Sequence, residues 1–290
     1  MIGTRLFASL SALATVVLTT AARAQDEVLS PLPTIGKPTP GGMGFQPFVT
    51  EVGRDIQFLD TFLLVVITVI SLFVTALLVW VAIRYNAKRN PEPARFTHNT
   101  TIEIAWTLIP VLILIVIGSL SLPVLFKQMN VPEPDLTVKV TGFQWAWAYE
   151  YPDHGIFYES YMLAENQLEE FGYAPDEYLL ATDTSVVVPV DAVVKLQITA
   201  SDVIHSWAIP SFGVKMDAVP GRLNETWFKA EQVGVYFGQC SELCGINHAY
   251  MPITVKVVPQ EEFDLWIAAA QELYAQGEPV TGAFQVAAAN

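Results

Sequence analysis

Charged residues are scarce in this chain, and so are the residue types that most often bind metals. Asp, Glu, Lys and Arg make up 15% of the 290 residues, whereas soluble proteins contain about 25%. This shortage indicates that part of the chain lies in lipid. Only 15 residues are basic against 29 acidic ones, which argues against nucleic-acid binding because that function needs basic surfaces. With two cysteines and four histidines in all, few places in the sequence can hold a metal ion.

The first apolar block has the pattern of a secretory signal peptide. Arg5 precedes an apolar run from Leu6 to Leu18, and Ala22-Arg23-Ala24 offers a small-residue cleavage site. We therefore predict a signal peptide over residues 1–24 and an exported N-terminal segment over residues 25–60. The alternative is an uncleaved membrane anchor, which also places the N-terminus outside.

Two further apolar blocks are long enough to cross a membrane. Residues 61–83 and 104–126 each hold 23 uncharged residues, and about 20 apolar residues span a hydrocarbon core. A buried helix hairpin is the weaker alternative for two blocks of this length. The connecting loop, residues 84–103, carries four basic residues against two acidic ones. Because positive loops stay in the cytoplasm, we predict a two-pass protein whose remaining chain lies outside.

The following region, residues 127–258, has the pattern of an all-β domain. Short β-rich or alternating runs recur between turns marked by Gly, Pro and Asp. These runs are residues 137–141, 185–190, 193–199, 225–230, 234–238 and 253–258. They predict a β-sandwich or barrel. An acidic stretch at 164–178 interrupts them as an inserted helix or loop, and residues 259–290 are predicted to form a C-terminal helix and tail.

The exported part of the chain is strongly acidic. Seven of the 29 acidic residues and nine of the 15 basic residues precede residue 128, which leaves 22 against six and a formal charge of −16. A field of this size favours a basic partner and can raise its association rate by roughly 10- to 1000-fold. The charge alone is equally consistent with a domain that is acidic merely for solubility.

The stretch GQCSELCGINHAYM, residues 238–251, contains both cysteines together with His248 and Met251. A disulfide between Cys240 and Cys244 would close a very small ring and constrain the unfolded chain little. Thioredoxin-type dithiols use C-x-x-C, whereas three residues separate these cysteines. Zinc has no use for a thioether. Electron-transfer copper sites combine His and Cys with a weak Met ligand, so copper accounts for all four residues.

The second histidine of such a site is predicted to be His205, in the strand-like segment DVIHSW. His98 lies in the cytoplasmic loop and His154 in the turn YPDHG, so neither is favoured. Two thiolates can bridge two copper ions, each completed by one histidine. Met251 would then be a weak ligand to one ion and the backbone carbonyl of Glu242 a weak ligand to the other. Such a pair shares one redox electron, which is typical of a one-electron relay.

Five segments of the chain resemble subunit 2 of the haem–copper cytochrome c oxidases of bacteria and mitochondria. They are C-S-E-L-C-G-x-N-H-x-x-M-P, GFQWAWAYEY, DVIHSW, KMDAVPGR and FTHNTTIEIAWTLIPV, in the family's order and spacing. The resemblance implies an N-terminal transmembrane α-helical hairpin of two helices and an all-β, cupredoxin-like Greek-key sandwich domain. It also implies a binuclear copper centre that accepts electrons from cytochrome c. The implied copper ligands are His205, Cys240, Glu242, Cys244, His248 and Met251.

In this family the first tryptophan of the aromatic run receives the electron from cytochrome c, and here that residue is Trp145. The family pattern G-H-Q-W-Y-W has histidine and an aromatic residue where this chain has Phe143 and Ala146. These two differences affect the expected details of the surface that docks cytochrome c, not the role of Trp145. From alternation alone, Trp145 and every second residue up to Tyr151 would share one face of a strand.

The resemblance also assigns roles to acidic side chains. The acids that dock the lysines of cytochrome c correspond to Glu150, Glu159, Glu170 and Asp202. The side chain of Glu242 would help to bind a magnesium or manganese ion at the interface with subunit 1, and a solvated loop carboxylate is the alternative. Glu103 would lie at the mouth of a proton path into subunit 1, and the alternative is a helix-start acid favoured by the helix dipole.

The resemblance therefore implies the electron-accepting subunit of a respiratory oxidase in the bacterial inner membrane, with both termini and the copper domain in the periplasm. The haems, the reduction of O2 to water and proton pumping would belong to subunit 1, with subunit 3 and membrane lipid as further partners and no nucleic acid. A quinol oxidase subunit 2 lacks the copper ligands. A membrane-anchored copper chaperone or assembly factor does not need the aromatic run. A nitrous-oxide-reductase-like enzyme needs a large catalytic domain for which there is no room.

Overall fold

The computed structural model describes residues 28–274. The predicted signal peptide, residues 1–24, and the predicted tail after residue 274 lie outside the described residues. The described chain forms two compact units. One contains residues 54–129, and the other combines the residues up to Gly53 with those from Asn130 onward.

Two long helices carry the apolar blocks. Helix α1 runs over Glu51–Arg84 and helix α2 over Thr100–Met129, and both are long and apolar enough to cross a membrane. None of the residues in their most apolar windows is buried within the chain, as expected for a surface that faces lipid. The predicted pair of apolar helices is confirmed. Both helices extend beyond the predicted spans 61–83 and 104–126, because backbone hydrogen bonding continues through the polar residues that flank an apolar run.

The second unit is built from strands. Within the described residues the strands are β1 (Thr34–Gly36), β2 (Leu136–Phe143), β3 (Ala146–Tyr151), β4 (Ile156–Ser160), β5 (Val186–Pro189), β6 (Val193–Ala200), β7 (His205–Ile209), β8 (Val214–Ala218), β9 (Asn224–Lys229), β10 (Gly234–Gln239) and β11 (Pro252–Val258). Helix α3, Gln260–Tyr274, follows the last strand.

These strands form a sandwich of two sheets and a hairpin. One sheet has the order β1-β10-β11-β5, the other β4-β3-β2-β6-β9, and β7 pairs with β8. Side chains of β2 and β6 alternate between buried and half-buried positions, while every residue of β11 is buried. The predicted β-sandwich is confirmed. Its sheets are mixed, since β2 with β6 and β11 with β5 are parallel pairs.

Large aromatic side chains fill the space between the sheets. Trp147 and Trp207 are fully buried there, and Phe212 stacks on Phe228 with ring centroids 4.6 Å apart. Helix α3 closes one end of this core through Trp266, whose ring lies near the core tyrosines. Burial of one such aromatic contributes on the order of 2–3 kcal/mol, so the core provides a rigid base for the loops above it.

Residues 28–53 of the predicted N-terminal segment, 25–60, belong to the same compact unit as the sandwich. Strand β1 adds to the edge of β10 in parallel, and the Val235 amide donates to the Pro33 carbonyl at 2.9 Å. The physical reason is that an edge strand offers unpaired backbone groups, which a passing extended segment can satisfy.

The acidic stretch between β4 and β5 is a loop with two short 3-10 turns, Glu165–Gln167 and Pro175–Glu177. Its apolar side chains form a small second core against the outer face of β10. This second core contains Leu163, Leu168, Tyr173, Leu180, Ala181, Val235 and Phe237. Four acidic side chains of this loop are thereby left exposed, Glu165, Glu169, Glu170 and Asp176, whereas Glu177 is buried.

Candidate metal centre

The two cysteines lie in the connection between β10 and β11. These strands are antiparallel, and Gln239 lies opposite Pro252, so the connection begins and ends at neighbouring positions. We call this connection, residues 240–251, the ligand loop. Its two ends are fixed because both strands are buried, which limits where its side chains can lie.

One backbone hydrogen bond joins the ligand loop to the start of β7. The amide of Ser241 donates to the carbonyl of Ser206 at 2.9 Å, and His205 precedes Ser206 in the chain. Two segments that are 35 residues apart in sequence therefore meet at the same end of the sandwich. The strand-like segment DVIHSW is only partly a strand, because β7 begins at His205 and residues 201–203 form a bend before it.

The Cys240 sulfur lies among three potential donors. Its Sγ is 3.9 Å from the Sγ of Cys244, 4.0 Å from Nδ1 of His205 and 3.2 Å from the backbone oxygen of Glu242. Both cysteines are free thiols.

The Cys244 sulfur also has a histidine nitrogen and a weak donor beside it. Its Sγ lies 3.6 Å from Nδ1 of His248 and 3.4 Å from Sδ of Met251. Each sulfur therefore has one imidazole nitrogen and one weak donor beside it, with the two sulfurs in the middle. This arrangement fits the predicted binuclear copper centre, in which both thiolates bridge and each ion takes one histidine and one weak ligand.

The donor atoms are mostly shielded from solvent. The exposed fractions are 0% for His205, 6% for Cys240, 4% for Cys244 and 1% for Met251, whereas His248 is half-buried. The ligand atoms of His205, Cys240 and Cys244 all lie within 4.8 Å of one another. Buried thiols with imidazoles at this spacing can hold a metal ion as a closed site, from which solvent ligands are excluded.

The site favours loss of a proton from one thiol. Burial raises the pKa of Cys240, but hydrogen bonds with His205 and with nearby backbone groups outweigh burial and lower it to about 7. Burial and the neighbouring Cys240 raise the pKa of Cys244 to about 12. A bound metal displaces the protons of both thiols, so its affinity is expected to rise with pH.

Asp202 orients the buried histidine. His205 Nε2 donates to Asp202 Oδ1 at 2.9 Å, which leaves Nδ1 of the ring facing the sulfur. This carboxylate–histidine pairing is the usual way in which a metal-binding imidazole is held in one tautomer. Burial lowers the pKa of His205, but its hydrogen bonds to Cys240 and Asp202 outweigh burial and raise it. The family resemblance places Asp202 on the surface that docks cytochrome c, and this contact with His205 was not predicted.

A glycine in β2 makes room for the histidine ring. A Cβ at Gly142 would lie 3.0 Å from both Cδ2 of His205 and Cζ3 of Trp147, closer than most real side chains pack. Trp147 is buried beside the site, and its Nε1 donates to the backbone oxygen of Met251 at 3.2 Å. Trp147 therefore packs in the core beside the site.

Trp145 lies in the turn between β2 and β3, outside the strand. The prediction that it shares one strand face with Trp147 is wrong, because β3 begins at Ala146. Its ring is half-buried, and Nε1 donates to the backbone oxygen of Cys244 at 3.3 Å. Gln144 donates to the same oxygen through Nε2 at 2.8 Å. The sequence reasoning missed Gln144, and its position directly before Trp145 was the available signal.

The acidic residues assigned to docking have different surroundings. Glu150 forms an ion pair with Lys139 at 2.7 Å. Glu159 is exposed on the edge strand β4 and accepts a hydrogen bond from the Tyr161 hydroxyl. Glu170 is exposed in the acidic loop.

The two other assigned glutamates belong to different compact units. Glu103, in the first turn of α2, accepts a hydrogen bond from the Asn99 amide at 3.1 Å, as an acid that caps a helix start does. Glu242 is exposed in the ligand loop and contributes its backbone oxygen, not its carboxylate, to the thiol cluster. The His154 ring packs edge-on against Phe263 at 6.3 Å, near α3.

Comparisons with known proteins match both units. The family model for the periplasmic domain of cytochrome c oxidase subunit II matches residues 136–258, and the model for its transmembrane domain matches residues 38–124. Cytochrome c oxidase subunit 2 of Cereibacter sphaeroides is 55% identical over 266 residues, which cover 87% of each chain. The probable cytochrome c oxidase subunit 2 of Rickettsia bellii is 50% identical and covers 83% of this chain and 89% of its own.

A solved structure is also similar. The periplasmic domain of subunit II of cytochrome oxidase from Bradyrhizobium japonicum is 50% identical, covers 50% of this chain and 100% of its own, and has a TM-score of 0.46. The two family models together cover more than half of the chain, and the relatives align over most of it. The chain therefore belongs to the cytochrome c oxidase subunit II family.

Proposed function

We propose that this chain is the electron-accepting subunit of a respiratory cytochrome c oxidase. It receives single electrons from cytochrome c at Trp145 and passes them on toward the haems of subunit 1, where O2 is reduced to water with proton pumping. The observation that carries this proposal is the donor set around the two sulfurs. When bound there, two copper ions supply a centre that gains and loses one electron at a time.

The chain's own residues prepare the site for that chemistry. His205, Cys240, Cys244, His248, Met251 and the Glu242 carbonyl would hold the copper. The buried surroundings keep the ligands in one arrangement, which limits the reorganisation that accompanies each electron transfer. The half-buried Trp145 lies at the surface and donates directly to the backbone of a ligand cysteine. It therefore offers a short covalent and hydrogen-bonded route from the surface to the site.

The position of the chain in a complex is part of the same proposal. The family membership supports a bacterial inner-membrane subunit with two spans, with both termini and the sandwich in the periplasm and with subunits 1 and 3 and lipid as neighbours. Glu242 has an exposed carboxylate that could bind a magnesium or manganese ion shared with subunit 1. The acidic sandwich would attract a basic cytochrome c over long distances.

A copper chaperone is less well supported. Delivery of a metal needs accessible, exchangeable ligands, whereas both cysteines and His205 are buried here. A quinol oxidase subunit would not need the thiol pair.

Replacement of Trp145 tests where electrons enter. In the purified oxidase, Trp145→Leu should lower turnover at saturating cytochrome c by at least about tenfold, while KM changes by less than about twofold. The copper content should stay the same. Trp227→Leu is the control. Trp227 lies on β9, which β6 separates from β2 in the sheet, so its replacement should leave turnover intact. Unchanged turnover in Trp145→Leu with normal copper would show that electrons enter elsewhere.

A further inference from the structure

We infer that Asp202 and Gln144 together position Trp145 and His205 relative to each other, and that Asp202 supports electron transfer through these hydrogen bonds. We call the two residues the positioning pair. The inference deepens the proposed function and rests on it for the role of Trp145. It adds a role to the family-based assignment of Asp202, which places that side chain on the surface that binds cytochrome c.

Both carboxylate oxygens of Asp202 are occupied by groups of this chain. Oδ2 accepts from the backbone amide of Gln144 at 2.7 Å. Oδ1 accepts from Nε2 of His205 at 2.9 Å and from the amide of Val203 at 2.6 Å. The side chain is only 33% exposed. Three charge-assisted hydrogen bonds fix such a carboxylate in one orientation.

Gln144 connects the turn between β2 and β3 to the ligand loop. Its Nε2 donates to the backbone oxygen of Cys244 at 2.8 Å, and Nε1 of Trp145 donates to that oxygen at 3.3 Å. The carbonyl has two lone pairs, so it can accept both. Gln144 thus contacts Asp202 through its backbone and Cys244 through its side chain.

Gly245 allows this close approach. Its φ of 123° is unfavourable for other residues. A Cβ there would lie 3.0 Å from Cζ2 of Trp145 and 3.1 Å from Nε2 of Gln144. The loop backbone therefore packs directly against the indole ring, with no side chain between them.

These hydrogen bonds connect Trp145 to the surroundings of both cysteines. Trp145 is attached to the loop that carries Cys244, and through Gln144 and Asp202 it is attached to His205, which lies beside Cys240. A change at Asp202 is therefore expected to disturb the tryptophan and the histidine together. Loss of an outer partner of a metal ligand typically costs about 10- to 100-fold in metal affinity or activity. Removal of a surface charge changes mainly the association rate.

The test compares two variants that remove the same charge. Asp202→Asn and Glu159→Gln each neutralise one acid, but Glu159 is exposed on β4, where its carboxylate accepts a hydrogen bond from the Tyr161 hydroxyl. In the purified oxidase, Asp202→Asn should lower the rate of copper reduction at saturating cytochrome c by about 10-fold or more and shift the copper absorption. Glu159→Gln should act mainly on KM. Equal behaviour of the two variants, with an effect on KM alone, would overturn the inference.

A second measurement needs neither copper nor activity. In the metal-free full chain in detergent, the Gln144 amide should exchange with solvent about 10-fold faster in Asp202→Ala than in wild type, because its acceptor is gone. Gln144→Leu should leave the His205 contact intact and loosen Trp145 alone. Unchanged amide exchange in Asp202→Ala would also overturn the inference. If Trp145→Leu leaves turnover intact, the proposed function fails, while the exchange result still reports on the positioning pair.

Discussion

Among single residues, Cys244 takes part in the site through both its side chain and its backbone. Its sulfur lies within 4 Å of Cys240, His248 and Met251, and its carbonyl accepts from the two residues of the turn before β3. It thus takes part in the metal centre through its side chain and in the attachment of Trp145 through its backbone. We therefore expect the Cys244 side chain to serve metal binding and its backbone to serve electron entry at Trp145.

Glu242 divides its groups in the same way, and this leads to a prediction. Glu242→Gln should leave the copper content and absorption largely unchanged, because the backbone oxygen near Cys240 remains. It should reduce the content of magnesium or manganese in the purified oxidase, since an amide binds hard cations more weakly than a carboxylate. Metal analysis and optical spectra of the same preparation measure both. Loss of the copper bands would show that the carboxylate, not the carbonyl, supports the centre.

Asp183 gives a prediction about pH. It accepts from the Tyr161 amide at 2.8 Å, and burial raises its pKa to about 6 despite hydrogen bonds that lower it. The folded state then holds this proton more tightly than the unfolded state does. This contribution to stability is present below the unfolded pKa of about 4 and is lost as the pH rises through about 6.

Asp183→Asn keeps an acceptor oxygen but cannot ionise. It should therefore be more stable than wild type by about 1 to 3 kcal/mol at neutral pH, and about equally stable near pH 4. Thermal unfolding of the full chain in detergent at both pH values checks this. Asp183→Ala, which removes the acceptor as well, should be destabilised at both. An unchanged stability difference between Asp183→Asn and wild type across this range would contradict the prediction.

Among the elements, the edge strand β1 shows how the N-terminal segment is held. Glu177, which is 3% exposed, accepts from the Thr34 hydroxyl at 2.9 Å and from the Ala174 amide at 2.8 Å. Lys37 lies 3.7 Å from the same carboxylate. The acidic loop and β1 therefore fasten each other to the outer edge of β10.

Glu177→Ala should release this edge. The Val235 amide, which donates to Pro33, is expected to exchange about 10-fold faster, because the variant leaves buried donors without an acceptor. Asp176→Ala is the matched control. Asp176 pairs with Lys37 at 2.7 Å but is 69% exposed, and exposed ion pairs add little. Unchanged exchange at Val235 in Glu177→Ala would show that backbone pairing alone holds β1.

The elements also show what local sequence patterns can predict. The β-rich runs at 137–141, 193–199 and 253–258 lie within strands because alternation reflects burial on one face of a sheet. Partners are not local, so the parallel pairs of β2 with β6 and β5 with β11 could not be predicted. The contact between Asp202 and Gln144, 58 residues apart, was hidden for the same reason. Trp145 was placed on a strand because alternation does not show where a turn ends.

At the level of the whole molecule, charge and hydropathy divide the chain. The apolar helices carry few charges, and the residues after 127 carry a formal charge of −16. Composition was sufficient to predict this division, because lipid and water select residue types over long stretches. The ligand set depended on the rarity of Cys and His, which left few combinations. The relative placement of the donors required the fold.

Copper analysis of the purified oxidase tests the proposed function most directly. We predict two copper ions in this subunit and, in the oxidised state, an electron paramagnetic resonance signal from one unpaired electron shared equally by both nuclei. Cys244→Ser should abolish the shared signal, since one of the two thiolates that would hold the copper ions is lost. A single copper ion with a signal from one nucleus, or zinc in place of copper, would contradict the proposal.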